Sequence, residues 1–546
     1  MTEPLPPTSP GARRILVGLS ALIVVLWFAV LPLRPLFNPD EGRYAEIPRE
    51  MLHGGDWVIP HLNGLAYIEK PPLQYWATAA ALATFGQNEF AARFYTAFCA
   101  LATLGVVWLT GARLWGEAAA WRSAAVLAGM LMFPVMGQLL TLDMSLTFYM
   151  TAALAGFLLA QTGTRRWMWV AWTATALGVL TKGLVAAAIP AAVLVLHSLY
   201  TRDLVPWRRL EAARGFPLFL VITVPWHWLA MRRLPGFADF YFVHEHFARY
   251  LSPSADREEA WWFFIAVFVL GTLPWTPAAV RALCLGWRRR AAPAQFDAAV
   301  FLWLWVAFIG VFFSFSDSKL IPYILPAMPA LALLIGCGAP APGRRDLAVS
   351  GGLTLAAAAA AGAAGLIGPR HLPLTVRNQY FILLAGPLVE VAVLLAILGL
   401  TVLLLQRRDP TRCAVLLGAG WCVAGLLMMK AAAVVAPIYS GVGLARAVDG
   451  LPDDLALFSV GTYDQTLPFY WHRTFELVSF RGELDFGLQR RPDAEIPTLP
   501  EFAERWRALP DAYAVMETSM FDELNRSGLP MREIARDVHR VLVRRR

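Results

Sequence analysis

Long apolar runs, separated by short polar segments, dominate the first 436 residues of the chain. A transmembrane helix needs about 20 consecutive apolar residues, and many of these runs approach or exceed that length. They lie at 15–33, 94–112, 119–137, 142–160, 168–181, 183–199, 215–231, 261–284, 297–313, 320–337, 348–367, 381–405 and 412–436. The pattern therefore predicts an α-helical, polytopic membrane protein with about 13 transmembrane helices. The two runs on either side of Lys182 could instead form one kinked helix.

After residue 436 the long apolar runs stop, and the composition changes to that of a water-soluble domain. Segments such as LALFSV, TFELVSF and AYAVMET are typical of strands, and TLPEFAERWRALP and SMFDELNRSGLP are typical of short helices. We therefore expect a membrane domain over 1–436, with a first external loop at 34–93, and a small α/β domain over 437–546. The small domain is short for a large core of its own, so we expect it to pack against the rest of the chain.

Composition and charge support this picture and add an orientation. Hydrophobic residues make up 58% of the chain and charged residues 16%, whereas soluble domains are about 45–50% apolar. Short cytoplasmic loops carry an excess of Lys and Arg, and alternate loops of this chain follow that rule if the N-terminus is cytoplasmic. That orientation makes the first loop and the C-terminal domain external. The net charge of +8 then needs no nucleic-acid partner, since these cations set topology and meet anionic lipid.

Several motif classes are absent from the sequence. It contains no GxxxxGK[ST], no GxGxxG after a strand, no GxSxG and no HExxH, which argues against nucleotide hydrolysis, dinucleotide chemistry and ordinary hydrolase mechanisms. We therefore expect no nucleotide cofactor. The five cysteines form no CxxC pair and lie within or beside apolar runs, so no disulfide framework is predicted.

The first external loop contains the motif NPDEGRYAEIPREML. Asp40 and Glu41 follow a proline at a predicted helix start, where acids stabilise the helix dipole, so capping alone could explain them. Alternatively, a carboxylate at the membrane interface could accept a proton, orient a sugar hydroxyl or bind a metal. Asp40, Arg43 and Tyr44 would share one helical face, which favours a functional role.

Further ionisable residues lie near the external ends of other predicted spans. Glu69 and Lys70 precede a double proline in YIEKPPLQYW, and the Lys70 amine could reach the membrane interface or bind a phosphate. Asp143 begins one span and Lys182 interrupts another apolar run. Such residues are either functional groups or a mutual structural pair.

Two more external segments carry candidate ligands. FYFVHEHFARY contains His246 and Arg249, and SDSKLIPY contains Lys319 and Tyr323. One histidine with a carboxylate such as Glu69 could hold a metal, but no local ligand set completes a site. What these residues share is one face of the membrane, where acids, bases and aromatic residues from separate loops meet.

These motifs resemble those of a known family. NPDEGRYAEIPREML, YIEKPPLQYW, the turn at Asp143, EHFARY, SDSKLIPYILPAMPALALLIG and YDQTLPFYWHRTFELVSFRGELDFGL are similar to segments of the lipid A aminoarabinose transferases. These belong to the protein O-mannosyltransferase-like integral membrane glycosyltransferases. The resemblance implies the GT-C fold and transfer of 4-amino-4-deoxy-L-arabinose from undecaprenyl phosphate to lipid A phosphates, at the periplasmic face of a Gram-negative inner membrane. Such a modification reduces negative charge and is associated with polymyxin resistance.

The resemblance also implies roles for particular residues and partners. Asp40 would be the leading acid at the reaction centre, and Lys70 with Tyr323 would hold the donor phosphate. Glu69 and His246 would hold a divalent metal such as zinc. The further candidates are the acids Glu41 and Asp143 and the phosphate ligands Arg43, Tyr44, Tyr67, Lys182, Lys319 and Arg249. We expect a monomer whose partners are the donor lipid, the lipid A acceptor and the surrounding membrane lipids.

Two alternatives remain open from the sequence. A related enzyme could use a similar polyprenyl-phosphate sugar donor and act on another lipid, a glycan or a protein. A secondary transporter or flippase is a different class, and its ionisable groups would lie near mid-membrane with visible repeat symmetry. Here only Glu390 and Lys430 lie deep within spans, and the chain contains no internal repeat. We expect those two residues to form a structural pair.

Overall fold

The computed structural model describes residues 10–248, 259–288, 296–337, 343–373, 375–407, 409–448, 450–452 and 454–546. Helices dominate these ranges, which confirms the predicted α-helical class. The α-helices of six or more residues are Pro10–Ala29, Asp40–Gly54, Leu73–Phe85, Glu89–Trp115, Glu117–Gly129, Leu142–Thr162, Trp167–Lys182, Val185–Thr201, Ala212–Arg233, Phe263–Gly271, Thr276–Gly286, Ala298–Ser314, Met328–Cys337, Arg344–Leu366, Val376–Leu383, Ala385–Leu405, Pro410–Ala431, Val442–Ala447, Leu499–Ala508 and Thr518–Arg526. A π-helical segment, Asp239–Ala248, and a 3₁₀ segment, Ile321–Ala327, add to them.

Six helical segments of the described chain are long and apolar enough to cross a membrane. They are Arg13–Leu33, Glu89–Trp115, Leu142–Thr162, Arg344–Leu366, Arg377–Leu405 and Pro410–Tyr439. A bent pair, Phe263–Gly271 with Thr276–Gly286, makes a seventh if it is one span. Three shorter apolar helices are Val185–Thr201, Ala298–Ser314 and Ile321–Cys337. The chain is therefore a multi-pass membrane protein, and the predicted count of 13 spans stays a prediction.

Local residues explain where the predicted spans break. The runs around Lys182 are two helices, because Gly183 between them adopts a φ of 86° that favours glycine. The run 261–284 is bent by 117° between two helices, and Pro274 lies in the break, where proline cannot continue a helix. The predicted run 119–137 is also divided: the helix Glu117–Gly129 ends before residue 137, and a short helix, Met132–Met136, follows it.

The predicted pairing of Glu390 with Lys430 is wrong. Both side chains are exposed on their helices, and no ion pair joins them among the residues that the structure describes. Each residue therefore lies at the protein surface rather than inside the helix bundle.

A six-stranded sheet forms the C-terminal domain, as the strand-like segments predict. Its strands, with the two of a small hairpin in the first loop numbered before them, are β1 His61–Leu62, β2 Leu65–Ala66, β3 Ala456–Val460, β4 Glu476–Val478, β5 Glu495–Ile496, β6 Ala512–Glu517, β7 Met531–Arg536 and β8 Arg540–Arg545. The order in the sheet is β5-β4-β3-β6-β8-β7. The first four of these are parallel neighbours, and β8 pairs antiparallel with β6 and β7.

The C-terminal domain packs directly on the first external loop. One apolar cluster contains Leu36, Tyr44 and Tyr67 from the loop together with Phe475 and Leu477 from the domain. Burial of such side chains on both sides stabilises the contact by removing apolar surface from water. The expected packing of the small domain against the rest of the chain is therefore confirmed.

Close backbone contacts hold this arrangement in register. A Cβ atom on Gly42 would lie 2.5 Å from the carbonyl carbon and oxygen of Gln465, so glycine is required for the helix and the domain to approach this closely. The side chain of Asn63 exchanges two hydrogen bonds with the backbone of Phe475, at 2.7 and 2.9 Å. Asn38 accepts the Gln465 N–H at 3.0 Å.

Candidate active site

The helix Asp40–Gly54 carries most of the candidates in the first loop. Its first turn holds two acids, Asp40 and Glu41, where the helix dipole favours negative charge. It ends at Gly55, whose φ of 71° forms a left-handed cap. The side chains from Glu41 to Arg49 are buried, whereas that of Asp40 is 53% exposed. Two adjacent acids therefore occupy very different environments.

Glu41 lies in a closed network of charged groups. Its carboxylate accepts hydrogen bonds from Arg34 at 3.0 Å and from Arg93 at 2.8 and 2.9 Å, with a second, shorter contact to Arg34. The backbone N–H groups of Phe37 and Leu140 each donate to it at 3.0 Å. Burial alone raises the pKa of Glu41, but the two guanidinium groups outweigh that effect and hold the pKa well below its usual range.

This geometry argues against the predicted catalytic role of Glu41. A carboxylate has about four lone-pair positions, and the six hydrogen bonds leave none open to a substrate. Glu41 instead ties its helix to Arg34, at the end of the first span, and to Arg93, in the helix Glu89–Trp115. We therefore correct its assignment from a catalytic acid to a structural anchor.

Arg43 connects the first loop with the C-terminal domain. Its Nη1 donates a hydrogen bond to the Tyr67 hydroxyl and forms an ion pair with the Glu483 carboxylate, both at 2.8 Å. Its Nη2 lies 3.5 Å from the Asp40 carboxylate, and the guanidinium carbon is 5.9 Å from the ring centroids of Tyr44 and Tyr67. The structure therefore brings Asp40 together with three predicted phosphate ligands of the first loop, Arg43, Tyr44 and Tyr67.

Glu483 belongs to this group, although the sequence did not single it out. One carboxylate oxygen forms the ion pair with Arg43, and the other accepts a hydrogen bond from Gln465 Nε2 at 2.8 Å. Burial raises the pKa of Glu483 above its usual range, although Arg43 and Gln465 lower it in part. The sequence did contain a signal for Glu483, because it lies in RGELDFGL, part of a segment that resembles the aminoarabinose transferases. No role was predicted for that segment.

A second group of candidates meets where three helical segments end or begin. Lys182 Nζ lies 2.5 Å from Asp143 Oδ1 and 5.3 Å from the centroid of the Tyr323 ring. The mutual pair considered from the sequence is therefore present, and it lies against a predicted phosphate ligand. Asp40 is close enough to Lys182 for their charges to interact. That interaction connects this group with the one around Arg43.

Glu69 and Lys70 complete the arrangement. The Glu69 carboxylate interacts electrostatically with Arg43 and Tyr67, and Lys70 Nζ donates to the backbone carbonyl of Glu69 at 2.9 Å. Both side chains are half-buried. We call the whole set the charged cluster. It consists of Asp40, Arg43, Tyr44, Tyr67, Glu69, Lys70, Asp143, Lys182, Tyr323 and Glu483.

Three predicted ligands are not placed in the charged cluster. Lys319 donates to the backbone carbonyl of Glu259 at 3.2 Å, and within the described ranges no contact joins it to the cluster. Arg249 and the side chain of His246 lie outside the described residues. Of the residues that are described, no group of three or more His, Cys, Asp or Glu could hold a metal ion. The metal site of Glu69 and His246 stays a prediction.

Glu50, a half-buried acid of the helix Asp40–Gly54, makes stability depend on pH. The Glu50 carboxylate accepts the backbone N–H groups of Asn63 and Gly64, at 2.6 and 2.9 Å. Burial, together with the neighbouring charge of Glu46, raises the pKa of Glu50 to about 8 from its ordinary value of 4.5. Its contribution to stability is therefore complete below pH 4.5 and is lost as the pH rises through about 8.

We expect Glu50→Gln to remove this dependence, because an amide oxygen still accepts hydrogen bonds but cannot ionise. Above about pH 8 the variant should unfold at a temperature at least about 2 °C higher than the wild type. At or below pH 4.5 the two proteins should unfold alike. Thermal unfolding in detergent at both pH values measures this, and a parallel loss of stability in both proteins would contradict it.

Two family models and several curated proteins are similar to this chain. Residues 14–241 match the family model described as dolichyl-phosphate-mannose-protein mannosyltransferase, and residues 444–545 match the aminoarabinose transferase C-terminal domain. The undecaprenyl phosphate-alpha-4-amino-4-deoxy-L-arabinose arabinosyl transferase 1 of Sodalis glossinidius is 37% identical over 336 residues, which are 58% of each chain. Transferase 2 of the same organism is 34% identical over 420 residues, 73% of this chain and 72% of that relative.

Solved structures extend the similarity to nearly the whole chain. The crystal structure of ArnT from Cupriavidus metallidurans bound to undecaprenyl phosphate has a TM-score of 0.89 and 33% sequence identity, and covers 98% of both chains. Its apo state has a TM-score of 0.88 with the same coverage. By contrast, the matched part of this chain spans 58% of the length of the first two curated relatives.

Proposed function

The chain belongs to the family of undecaprenyl phosphate-aminoarabinose arabinosyl transferases, and from that premise we propose that it is an integral membrane glycosyltransferase of the GT-C type. Its donor is 4-amino-4-deoxy-L-arabinose linked to undecaprenyl phosphate, and its acceptor is a phosphate group of lipid A. The charged cluster carries this proposal, because it offers cations for phosphates and a half-exposed acid, Asp40, within one site. Both substrates are lipids that bear phosphates.

The reaction is an inverting displacement at the sugar carbon that is bonded to the carrier phosphate. An acceptor phosphate oxygen attacks this carbon and forms a new carbon–oxygen bond. The bond to the carrier breaks at the same carbon, and undecaprenyl phosphate leaves with the electron pair. The acceptor phosphate is already ionised, so no strong general base is needed. Catalysis rests on positioning and on stabilisation of charge as it moves to the leaving phosphate.

Eight of the ten members of the charged cluster have a role in this scheme. Lys70 neutralises the carrier phosphate, and Lys182 and Tyr323 also bind this phosphate. Asp143 holds the Lys182 amine in place through their 2.5 Å contact. Asp40 faces the sugar and stabilises the positive charge that develops on the reacting carbon. Arg43, Tyr44 and Tyr67 form the wall of the site beside Asp40.

The proposal includes a location and an orientation. The protein lies in a bacterial inner membrane, with the N-terminus in the cytoplasm and with residues 1–436 forming the membrane domain. The C-terminal domain, 437–546, is periplasmic. Glu69 would be one ligand of the predicted divalent metal, and the side chain of the second predicted ligand, His246, lies outside the described residues.

Reconstitution tests the function directly. The purified protein is placed in liposomes with the lipid-linked aminoarabinose and lipid A, and mass spectrometry follows the sugar added to lipid A. We expect transfer by the wild type and a loss of about 100-fold or more in Lys70→Ala, because the departing phosphate loses its counter-charge.

Lys430→Ala is the matched control, since this lysine is exposed on its helix and lies outside the charged cluster. It should transfer at the wild-type rate. Sugar movement across the bilayer without modification of lipid A would favour a flippase instead. Wild-type transfer by Lys70→Ala would show that the donor phosphate binds elsewhere.

A further inference from the structure

The proposed donor has one group that a neutral sugar donor lacks. Its sugar carries an amino group, which is protonated near neutral pH and presents several N–H donors. A carboxylate forms the strongest hydrogen bonds with such a group. The inference below rests on the proposed function, because the amino group belongs to the donor assigned there.

We propose that Glu483 of the C-terminal domain binds the ammonium group of the donor sugar and selects an amino sugar over its hydroxyl counterpart. Among the described residues, Glu483 forms an ion pair with Arg43 and accepts one hydrogen bond, from Gln465, with both contacts at 2.8 Å. A carboxylate has about four lone-pair positions, so about two of them are open to a further donor. The side chain is 15% exposed, which leaves a way for a ligand to reach it.

The balance of charge around Arg43 favours a cationic ligand. Glu483 and Asp40 approach the same guanidinium, at 2.8 and 3.5 Å, so two carboxylates share one positive charge. Burial raises the pKa of Glu483, and the nearby charges of Glu69 and Asp40 add to this effect. The neighbouring cation therefore compensates the Glu483 carboxylate only in part. A ligand ammonium would supply the remaining positive charge.

Tyr75 provides an independent indication of a missing ligand. Its side chain is 0% exposed, and its hydroxyl has no hydrogen-bond partner within the part of the chain that the structure describes. The hydroxyl is close enough to Arg43, Glu69 and Glu483 to interact electrostatically with them. A buried hydroxyl without a partner is costly. A polar ligand group bound beside Glu483 would give it one.

The position of Glu483 along the chain agrees with this role. Asp40, Lys70 and Asp143 lie in the part that matches the mannosyltransferase family, which is named for a sugar without an amino group. Glu483 lies in the part that matches the aminoarabinose transferase domain. Groups needed for any sugar transfer thus lie in the shared part. The group assigned to the amino sugar lies in the part particular to aminoarabinose transferases.

The test compares two undecaprenyl-phosphate donors whose sugars differ only in carrying an amino or a hydroxyl group at one carbon. The full-length protein in liposomes with lipid A is given each donor, and kcat/KM is measured by mass spectrometry. The wild type should prefer the amino donor. Glu483→Gln should lower this preference by about 10- to 100-fold, because it removes a charge-assisted contact that only the amino donor makes.

Asp40→Asn is the matched variant, because Asp40 contacts the same guanidinium. Asp40→Asn should lower kcat/KM for both donors by the same factor and leave the preference for the amino donor unchanged. Retained transfer of the hydroxyl donor by Glu483→Gln shows that this variant is folded. If Glu483→Gln lowered kcat/KM equally for both donors, the inference would be overturned and the proposed function would stand. Transfer of neither donor by the wild type would overturn both.

Discussion

Replacing Glu41 with glutamine is expected to lower the free energy of unfolding by about 3–5 kcal/mol, the usual cost of removing one partner from a buried ion pair. Arg34 and Arg93 are 3% and 1% exposed, and the Glu41 carboxylate contacts both. Glutamine keeps the size of the side chain but leaves two buried guanidinium groups without a counter-charge. Chemical or thermal unfolding in detergent, followed by loss of helical signal, measures the effect.

Asp40→Asn is the control for this experiment, since Asp40 is the adjacent residue on the same helix. Its side chain is 53% exposed and lies 3.5 Å from Arg43, and Arg43 keeps the Glu483 carboxylate at 2.8 Å as a counter-charge when Asp40 is neutralised. This variant should therefore unfold like the wild type. If Glu41→Gln unfolded normally and lost sugar transfer, the original prediction of a catalytic Glu41 would be restored.

The sequence predicts the elements of this fold where local chemistry determines them. The strand-like segments LALFSV and AYAVMET correspond to β3 and β6, because short apolar runs favour strands that are buried on both faces, as nearly all residues of these two strands are. The predicted run 142–160 becomes the helix Leu142–Thr162. Hydropathy alone did not resolve the bend at Pro274 or the division of the run 119–137, because breaks within an apolar run hardly change its mean hydropathy.

The candidate site is predicted less completely, because its contacts are distant in sequence. Asp40 and Glu41 look alike as helix-capping acids, but consecutive side chains on an α-helix point about 100° apart. One therefore faces the site and the other faces Arg93, which lies 52 positions further along the chain. No local pattern could show which acid is buried.

Glu483 illustrates the same limit. It reaches Arg43 from a separate domain, and the sequence shows only that both lie in segments assigned to the external side. Topology could place Asp143, Lys182 and Tyr323 on one face of the membrane, and the structure adds that they are in contact. Residue types and topology thus suggest the members of the site, whereas tertiary packing decides their partners.

Asp40→Asn is expected to lower kcat for sugar transfer by about 100- to 10,000-fold. Asp40 is the half-exposed acid of the charged cluster, 3.5 Å from Arg43 and within electrostatic reach of Lys182. Its carboxylate is placed to stabilise positive charge on the sugar as the carrier phosphate departs. Asparagine keeps the size and polarity of the side chain but removes the charge. The same lipid A assay with the amino donor measures the change.

Asp317→Asn is the matched control, because Asp317 is also exposed and lies in another segment assigned to the external side, outside the charged cluster. It should retain wild-type transfer. Asp40→Glu should recover part of the lost rate, since it restores the charge at a slightly different position. If Asp40→Asn changed KM and left kcat intact, Asp40 would bind substrate and transition state equally. The charge stabilisation would then have to come from another acid of the charged cluster, such as Glu69.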